Sequence, residues 1–220
     1  MCGRYALYGP RSRHRAEHEY FAGLADFPPS WNVAPSQVMP IARLVHDVVR
    51  VTPAKWGLVP CWATDWKIGY KMINARAETV AKSKAYGAPY RRKQRCLVPA
   101  DGFYEWQKRP GGKQPMYITS SGDELLAFAG LVEYWNQPDG ETLTTYTIIT
   151  GEPNELVRPI HDRMPVILDA TDYDRWLTDD DPHDLLRPYP AELLRAYPVS
   201  TRVNAPANND ERIIDHVTPT

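Results

Sequence analysis

Twenty-one prolines against 13 glycines are the strongest constraint on this 220-residue chain. Proline fixes φ, lacks an N–H and breaks helices from within. So many of them impose frequent fixed turns and leave little room for long helices. Between the turns most segments read as short strands. They run over residues 3–7, over the pair 37–45 and 47–52, and then over 96–99, 102–107, 115–119, 125–135, 143–150 and 165–168. Helical signals are fewer. Residues 11–25 place Ala16, Tyr20, Phe21 and Leu24 on one face, and residues 75–82 and 169–177 predict short helices. Glu152-Pro153-Asn154 predicts the opening of another, with proline in its first turn. Strands spread over the whole chain with helices inserted predict an α+β fold. The expectation is a single domain over residues 1–220, on a mainly antiparallel sheet or open β-barrel. With 43% hydrophobic and 24% charged residues, the chain can bury a core and is neither disordered nor collagen-like.

The net charge is −1, but the charges are sorted into blocks. Between Lys67 and Arg95 stand Lys67, Lys71, Arg76, Lys82, Lys84, Arg91, Arg92, Lys93 and Arg95, with Glu78 as the only acid. Residues 169–184 hold seven aspartates and one arginine. Trp56, Trp62, Trp66, Tyr70, Tyr86 and Tyr90 flank or interleave the basic block. Cations follow a phosphate backbone, and ring faces stack on unpaired bases at about 1–3 kcal/mol per base. A solvated surface beside a tryptophan-rich core is the plainer reading of the same block.

Cys2, Cys61 and Cys96 are odd in number and lack C-x-x-C spacing, which argues against a disulfide framework and a zinc ribbon. Neither they nor the histidines are spaced as metal ligands, and no phosphate-binding glycine loop occurs, so no metal and no cofactor is expected. The start Met1-Cys2-Gly3-Arg4-Tyr5 lacks a signal-peptide core, and the apolar run 125–132 is too short to cross a bilayer. A monomeric cytoplasmic protein is expected, associated with the nucleoid if the source is bacterial.

Cys2 is the most informative residue. If Met1 is removed, the chain begins with an α-amine and a thiol on one residue. Their ordinary pKa values, about 7.7–8.0 and about 8.5, leave both partly nucleophilic near neutral pH. Such a 1,2-aminothiol reacts with an aldehyde: the amine forms an imine, and the sulfur closes a five-membered thiazolidine. A chance cysteine at position 2 is the plain alternative.

Further stretches give Cys2 a context. They are Ile73-Asn74-Ala75-Arg76-Ala77-Glu78-Thr79, the run from Leu97 through Gly102-Phe103-Tyr104-Glu105-Trp106, and Ile160-His161-Asp162-Arg163-Met164-Pro165. Trp31-Asn32-Val33-Ala34-Pro35-Ser36, Trp56-Gly57-Leu58-Val59-Pro60-Cys61-Trp62 and Arg202-Val203-Asn204 support them. With these, nearly the whole chain resembles the SOS response-associated peptidase (SRAP) family, whose members crosslink to abasic sites in DNA. The resemblance implies a Cys2 freed of Met1, often by self-removal. It also implies a thiazolidine with the opened abasic sugar in single-stranded DNA, with single-strand/double-strand junctions as a candidate substrate and lyase-like activity in reach.

By motif the resemblance assigns Asn74, Glu105 and His161 to catalysis beside Cys2. Glu105, in an aromatic stretch, suits proton transfer if burial raises its pKa. His161 can protonate the sugar-ring oxygen. Asn74 can hold the product, or serve as a helix N-cap. Arg4 and Arg76 match phosphate contacts of the family, Asn32 and Pro35 belong to a loop near the site, and Arg163 and Trp62 complete the expected DNA surface. One departure stands out. Where relatives often carry an aromatic followed by arginine, this chain has Tyr86-Gly87, and Arg91 and Arg92 are the candidate replacements. Other readings stay open. An N-terminal-nucleophile hydrolase of glutamine-amidotransferase type also begins Cys-Gly. A passive single-strand binder would use only cations and rings, and a general cysteine peptidase would act on other proteins.

Overall fold

The computed structural model describes residues 2–9 and 19–218. Its strands in chain order are β1 (Tyr5–Leu7), β2 (Ser30–Val33), β3 (Val38–Val45), β4 (Val48–Trp56), β5 (Asn74–Arg76), β6 (Arg95–Ala100) and β7 (Gly102–Arg109). They continue with β8 (Gly112–Ser120), β9 (Leu126–Asn136), β10 (Thr142–Gly151), β11 (Met164–Pro165), β12 (Ile167–Leu168) and β13 (Leu194–Pro198). Among the described residues two short α-helices join them, α1 (Gly87–Arg91) and α2 (Tyr173–Thr178). The α+β expectation holds, and its barrel is closed rather than open.

The barrel consists of five strands. β4 pairs with β3, β3 with β6, β6 with β9 and β9 with β10, all antiparallel. The parallel pairing of β10 with β4 closes the ring. All six residues of β6 are buried, and β9 is buried over most of its length. Gly130 shows how tight the interior is, since a Cβ there would lie 2.7 Å from Cys96 Sγ and 3.0 Å from the Thr147 carbonyl. A second, five-stranded antiparallel sheet has the order β13-β8-β7-β1-β2.

The joint between barrel and sheet is Asp101, the single residue between β6 and β7. Its N–H donates to the Ala6 carbonyl at 2.8 Å, and its carboxylate accepts the N–H groups of Tyr8 and Gly9 at 2.5 and 2.7 Å. Backbone donors around a buried carboxylate lock the turn that follows β1. The N-terminal strand is thereby fixed at the junction of the two sheets.

Several local expectations are revised. Residues 75–82 form no α-helix: 74–76 join the parallel edge of β10 as β5, and only Val80–Lys82 make a 3-10 turn. Residues from 154 on make isolated turns, in which the Asn154 side chain accepts the Val157 N–H at 3.0 Å. Most of the helix expected over 11–25 lies outside the described residues, and its described end holds the 3-10 turns Glu19–Phe21 and Leu24–Asp26.

The charge blocks fold partly onto each other. Arg95 is buried and donates to the carbonyls of Tyr90, Trp176, Asp179 and Asp180, which caps the C-terminal end of α2. Lys93 pairs with Asp180 at 2.7 Å, and the Tyr90 hydroxyl donates to Asp181 at 2.8 Å. The C-terminal end of the basic block is thus spent on internal docking.

Candidate active site

Four elements meet around Cys2. Tyr5 faces Phe103 across the β1–β7 pair, and the Tyr104 N–H donates to the Arg4 carbonyl at 3.0 Å. Carried two residues outward, this antiparallel register sets the start of the chain beside Glu105. β5 lies against β10 with Asn74 facing Ile148, and from there the Asn74 amide donates to the Cys2 carbonyl at 2.8 Å. The loop between β10 and β11 brings His161 Nε2 to 3.8 Å from Glu105 Oε2. The four residues from distant motifs are therefore neighbours in space.

Their environment sets their chemistry. Glu105 is 2% exposed, and burial, helped by the charge of Asp162, pushes its carboxyl up to about 7. Such a group both gives and takes protons near neutrality. Burial, with the Glu105 charge behind it, pushes the Cys2 thiol well above its ordinary range. In the chain that still carries Met1 this favours the neutral thiol. Burial also lowers His161. In the tautomer with its proton on Nε2, toward Glu105, Nδ1 accepts the Arg163 N–H at 3.0 Å; in the other, Nδ1 donates to the Arg163 carbonyl at 3.3 Å. Asp162 Oδ1, 3.0 Å from Nδ1, is the partner for the protonated ring. The His161 side chain is 26% exposed, whereas Cys2 has no exposed surface in the chain that still carries Met1.

The expected DNA-facing residues divide into two groups. Arg76 is exposed and lies two positions from Asn74, on the same side of β5. Trp62 is 50% exposed with the Lys84 ammonium 5.0 Å from its ring centre. Arg91 and Arg92 are exposed at the end of α1, and Arg91 donates to the Ala81 carbonyl at 2.6 Å.

The second group is turned inward. Arg4 donates to Asn32 Oδ1 at 2.7 Å and to the Val203 carbonyl at 2.8 Å. Asn32 is fully buried, and its amide nitrogen reaches the carbonyls of Val203, Ala205 and Asn208. It orients Arg4 and fastens the C-terminal segment. Arg163 grips Glu78 with two nitrogens, at 2.6 and 3.0 Å, and also donates to the Thr150 carbonyl. The sequence marks neither Glu78 nor Tyr86, whose hydroxyl donates to the Asn74 carbonyl at 3.0 Å, as a site residue. The lone acid in a basic block was the available signal for Glu78.

Two larger surface clefts, of about 370 and 700 Å³, are lined around Ile167, Leu168, Asp169 and Tyr189, and none of the four clustered residues lines them. Among the described residues no group of three or more His, Cys, Asp or Glu side chains is placed to hold a metal ion. No described helix is long and apolar enough to cross a membrane.

Fold and site together define a class: a barrel-and-sheet α+β protein whose second residue is a cysteine held among an asparagine, a glutamate and a histidine. The chain belongs to the SOS response associated peptidase (SRAP) family, whose sequence model matches residues 1–206. It is 46% identical to abasic site processing protein YoqW of Bacillus subtilis, over 98% of this chain and 99% of that protein. To abasic site processing protein HMCES of Gallus gallus it is 34% identical, over 95% of this chain and 76% of that one. Among solved structures, a protein from Bacteroides thetaiotaomicron superposes with a TM-score of 0.82 at 26% identity, over 99% of this chain and 100% of that chain. One from Bordetella bronchiseptica gives a TM-score of 0.78 at 29% identity, over 90% of this chain and all of that one.

Proposed function

We propose that this protein processes abasic sites in single-stranded DNA, by joining Cys2 to the ring-opened sugar after Met1 has been hydrolysed away. The observation that carries the reading is the meeting of Cys2, Asn74, Glu105 and His161 from four separated segments. The names of the relatives, abasic site processing proteins, point the same way.

The chemistry follows from the groups present. His161, in its protonated form paired with Asp162, gives a proton to the ring oxygen of the closed sugar while the C1′ hydroxyl releases its own proton to water, and C1′ becomes an aldehyde. The Cys2 amine, relieved of its proton by the Glu105 carboxylate, adds to C1′ to give a carbinolamine. Glu105, now protonated, returns the proton to the leaving hydroxyl, one water departs, and the protonated imine that remains passes its N–H proton back to the Glu105 carboxylate to leave a neutral imine. The neutral thiol then adds across the C=N bond, sulfur to carbon and proton to nitrogen, and closes the thiazolidine. A thiol held above its usual range fits an order in which nitrogen attacks first. Asn74 holds the Cys2 carbonyl still throughout. Arg76, Trp62 and the other exposed cations of the basic block guide the unpaired strand.

The test is incubation with an abasic-site oligonucleotide, followed by denaturing electrophoresis and intact mass measurement. The expected product is one adduct per protein, lighter by one water than the sum of its parts. No adduct from Met1-free protein at low salt rejects the reading. Glutamine amide hydrolysis in place of the adduct would establish the amidotransferase-type alternative, and wholly salt-reversible binding the passive one.

A further inference from the structure

Glu78 is the only acid between Lys67 and Arg95, in a block whose charge otherwise favours phosphate. A carboxylate there opposes that attraction, so its place needs a physical account. Both of its oxygens are taken by Arg163, at 2.6 and 3.0 Å, and this hydrogen-bonded partner holds the Glu78 carboxyl below its usual range. Arg163 also donates to the Thr150 carbonyl at the end of β10, and its side chain is only 17% exposed. A two-pronged pair fixes orientation as well as distance, unlike an ordinary surface ion pair.

The backbone of the same arginine reaches the active site, because the Arg163 N–H donates to His161 Nδ1 at 3.0 Å. Glu78 is thus one residue removed from the ring that faces Glu105. β11 begins at Met164 and anchors the chain beyond Arg163, but on the His161 side the turn has no strand pairing. We propose that Glu78 is a positioning residue: by gripping Arg163 it holds the 161–163 turn so that His161 Nε2 faces Glu105. This rests on the reading of the Cys2 site given above. Glu78 itself touches none of the reacting atoms.

The test uses the full Met1-free chain and the variants Glu78→Ala, Glu78→Gln and Glu78→Asp. First, without DNA, the His161 ring proton is titrated by NMR, with His161→Gln for assignment. The charges facing this ring are the N-terminal ammonium, Glu105, Asp162 and Lys113. Glu78→Ala is expected to move the His161 midpoint, and Glu78→Asp to restore it in part. Second, single-turnover crosslinking is followed against oligonucleotide concentration. The limiting rate is expected to fall about tenfold in Glu78→Ala while the half-saturating DNA concentration stays or drops, since an acid has left a cationic surface. Glu78→Gln keeps the shape and loses the charge, so it serves if the alanine variant folds poorly. An unmoved His161 titration in a folded variant overturns the proposal, as does a slower reaction traced wholly to weaker DNA binding. A wild-type protein that forms no adduct defeats the parent reading instead, and the titration alone then decides this one.

Discussion

The side-chain amide of Asn74 donates to the carbonyl of Cys2 at 2.8 Å, across 72 residues of sequence. Cys2 precedes the first residue of β1, so this bond does for the chain start what a sheet partner does for a strand. Asn74 is in turn anchored by β5–β10 pairing and by the Tyr86 hydroxyl on its carbonyl. Asn74→Ala should cost about 1 kcal/mol of stability, the ordinary worth of one hydrogen bond, yet slow adduct formation about tenfold or more through lost orientation. Urea unfolding and timed denaturing gels check the two numbers. A variant that crosslinks at the wild-type rate would remove Asn74 from the mechanism.

Glu105 should make stability depend on pH. Its carboxyl rises from 4.5 in the unfolded chain to about 7 in the folded one. Between those values the folded protein holds a proton that the unfolded chain releases. The stability this group contributes is full below pH 4.5 and is lost as pH climbs through 7, by on the order of 3 kcal/mol. Glu105→Gln should flatten that decline and be the more stable protein at pH 8, while losing most adduct formation. Urea melts of both proteins at pH 5 and pH 8 decide it, and equal losses in the two would contradict the assigned burial effect.

The strands and the site were legible to different degrees, for physical reasons. Alternating apolar runs between proline turns placed β3, β4, β6–β10 and the α2 region within a few residues, because local pattern and final burial agree there. Residues 75–82 read locally as a helix, yet residues 74–76 form β5. Its three residues are held by parallel pairing with a strand some 70 positions later, which no local propensity reports. The same distance effect governs the site. Asn32 and Arg163 carry the right motifs, but their partners lie 171 to 176 and 85 residues away, and only the fold shows that both are turned inward. The family resemblance could name Glu105 and His161, whereas the 3.8 Å between them had to come from the meeting of β7 with the loop before β11.

Asn32 should be a stability residue first. It is fully buried, accepts from Arg4 and donates to the 203–208 segment. Asn32→Ala strands several carbonyls and removes a partner of a partly buried guanidinium, for a loss of about 2–3 kcal/mol. The loosened segment should become open to proteolysis near residues 203–208 while the barrel stays folded. Limited proteolysis with mass mapping, beside urea melts, makes the measurement. Cleavage no faster than in the wild type would show that β13 and its neighbours hold the segment without Asn32.

Arg76 offers the cleanest test of the strand-binding surface. It is exposed on β5, on the side of Asn74, and Glu78, whose carboxyl feels its charge, is already paired with Arg163. A phosphate contact made by such a free guanidinium should weaken with salt through counterion release. Arg76→Ala should therefore lower affinity for abasic and intact single strands alike, and reduce the slope of log K against log salt by about 0.7, the share of one phosphate on a single strand. The binding step is isolated with Cys2→Ala protein, which forms no adduct, titrated by fluorescence anisotropy at several salt concentrations. Because Arg76 makes no hydrogen bond or ion pair with any of the four clustered residues among the described residues, the limiting crosslinking rate at saturating DNA should stay within about twofold of wild type. A slope unchanged by the substitution would take Arg76 off the DNA path and shift the phosphate contact to Arg91 and Arg92 at the end of α1.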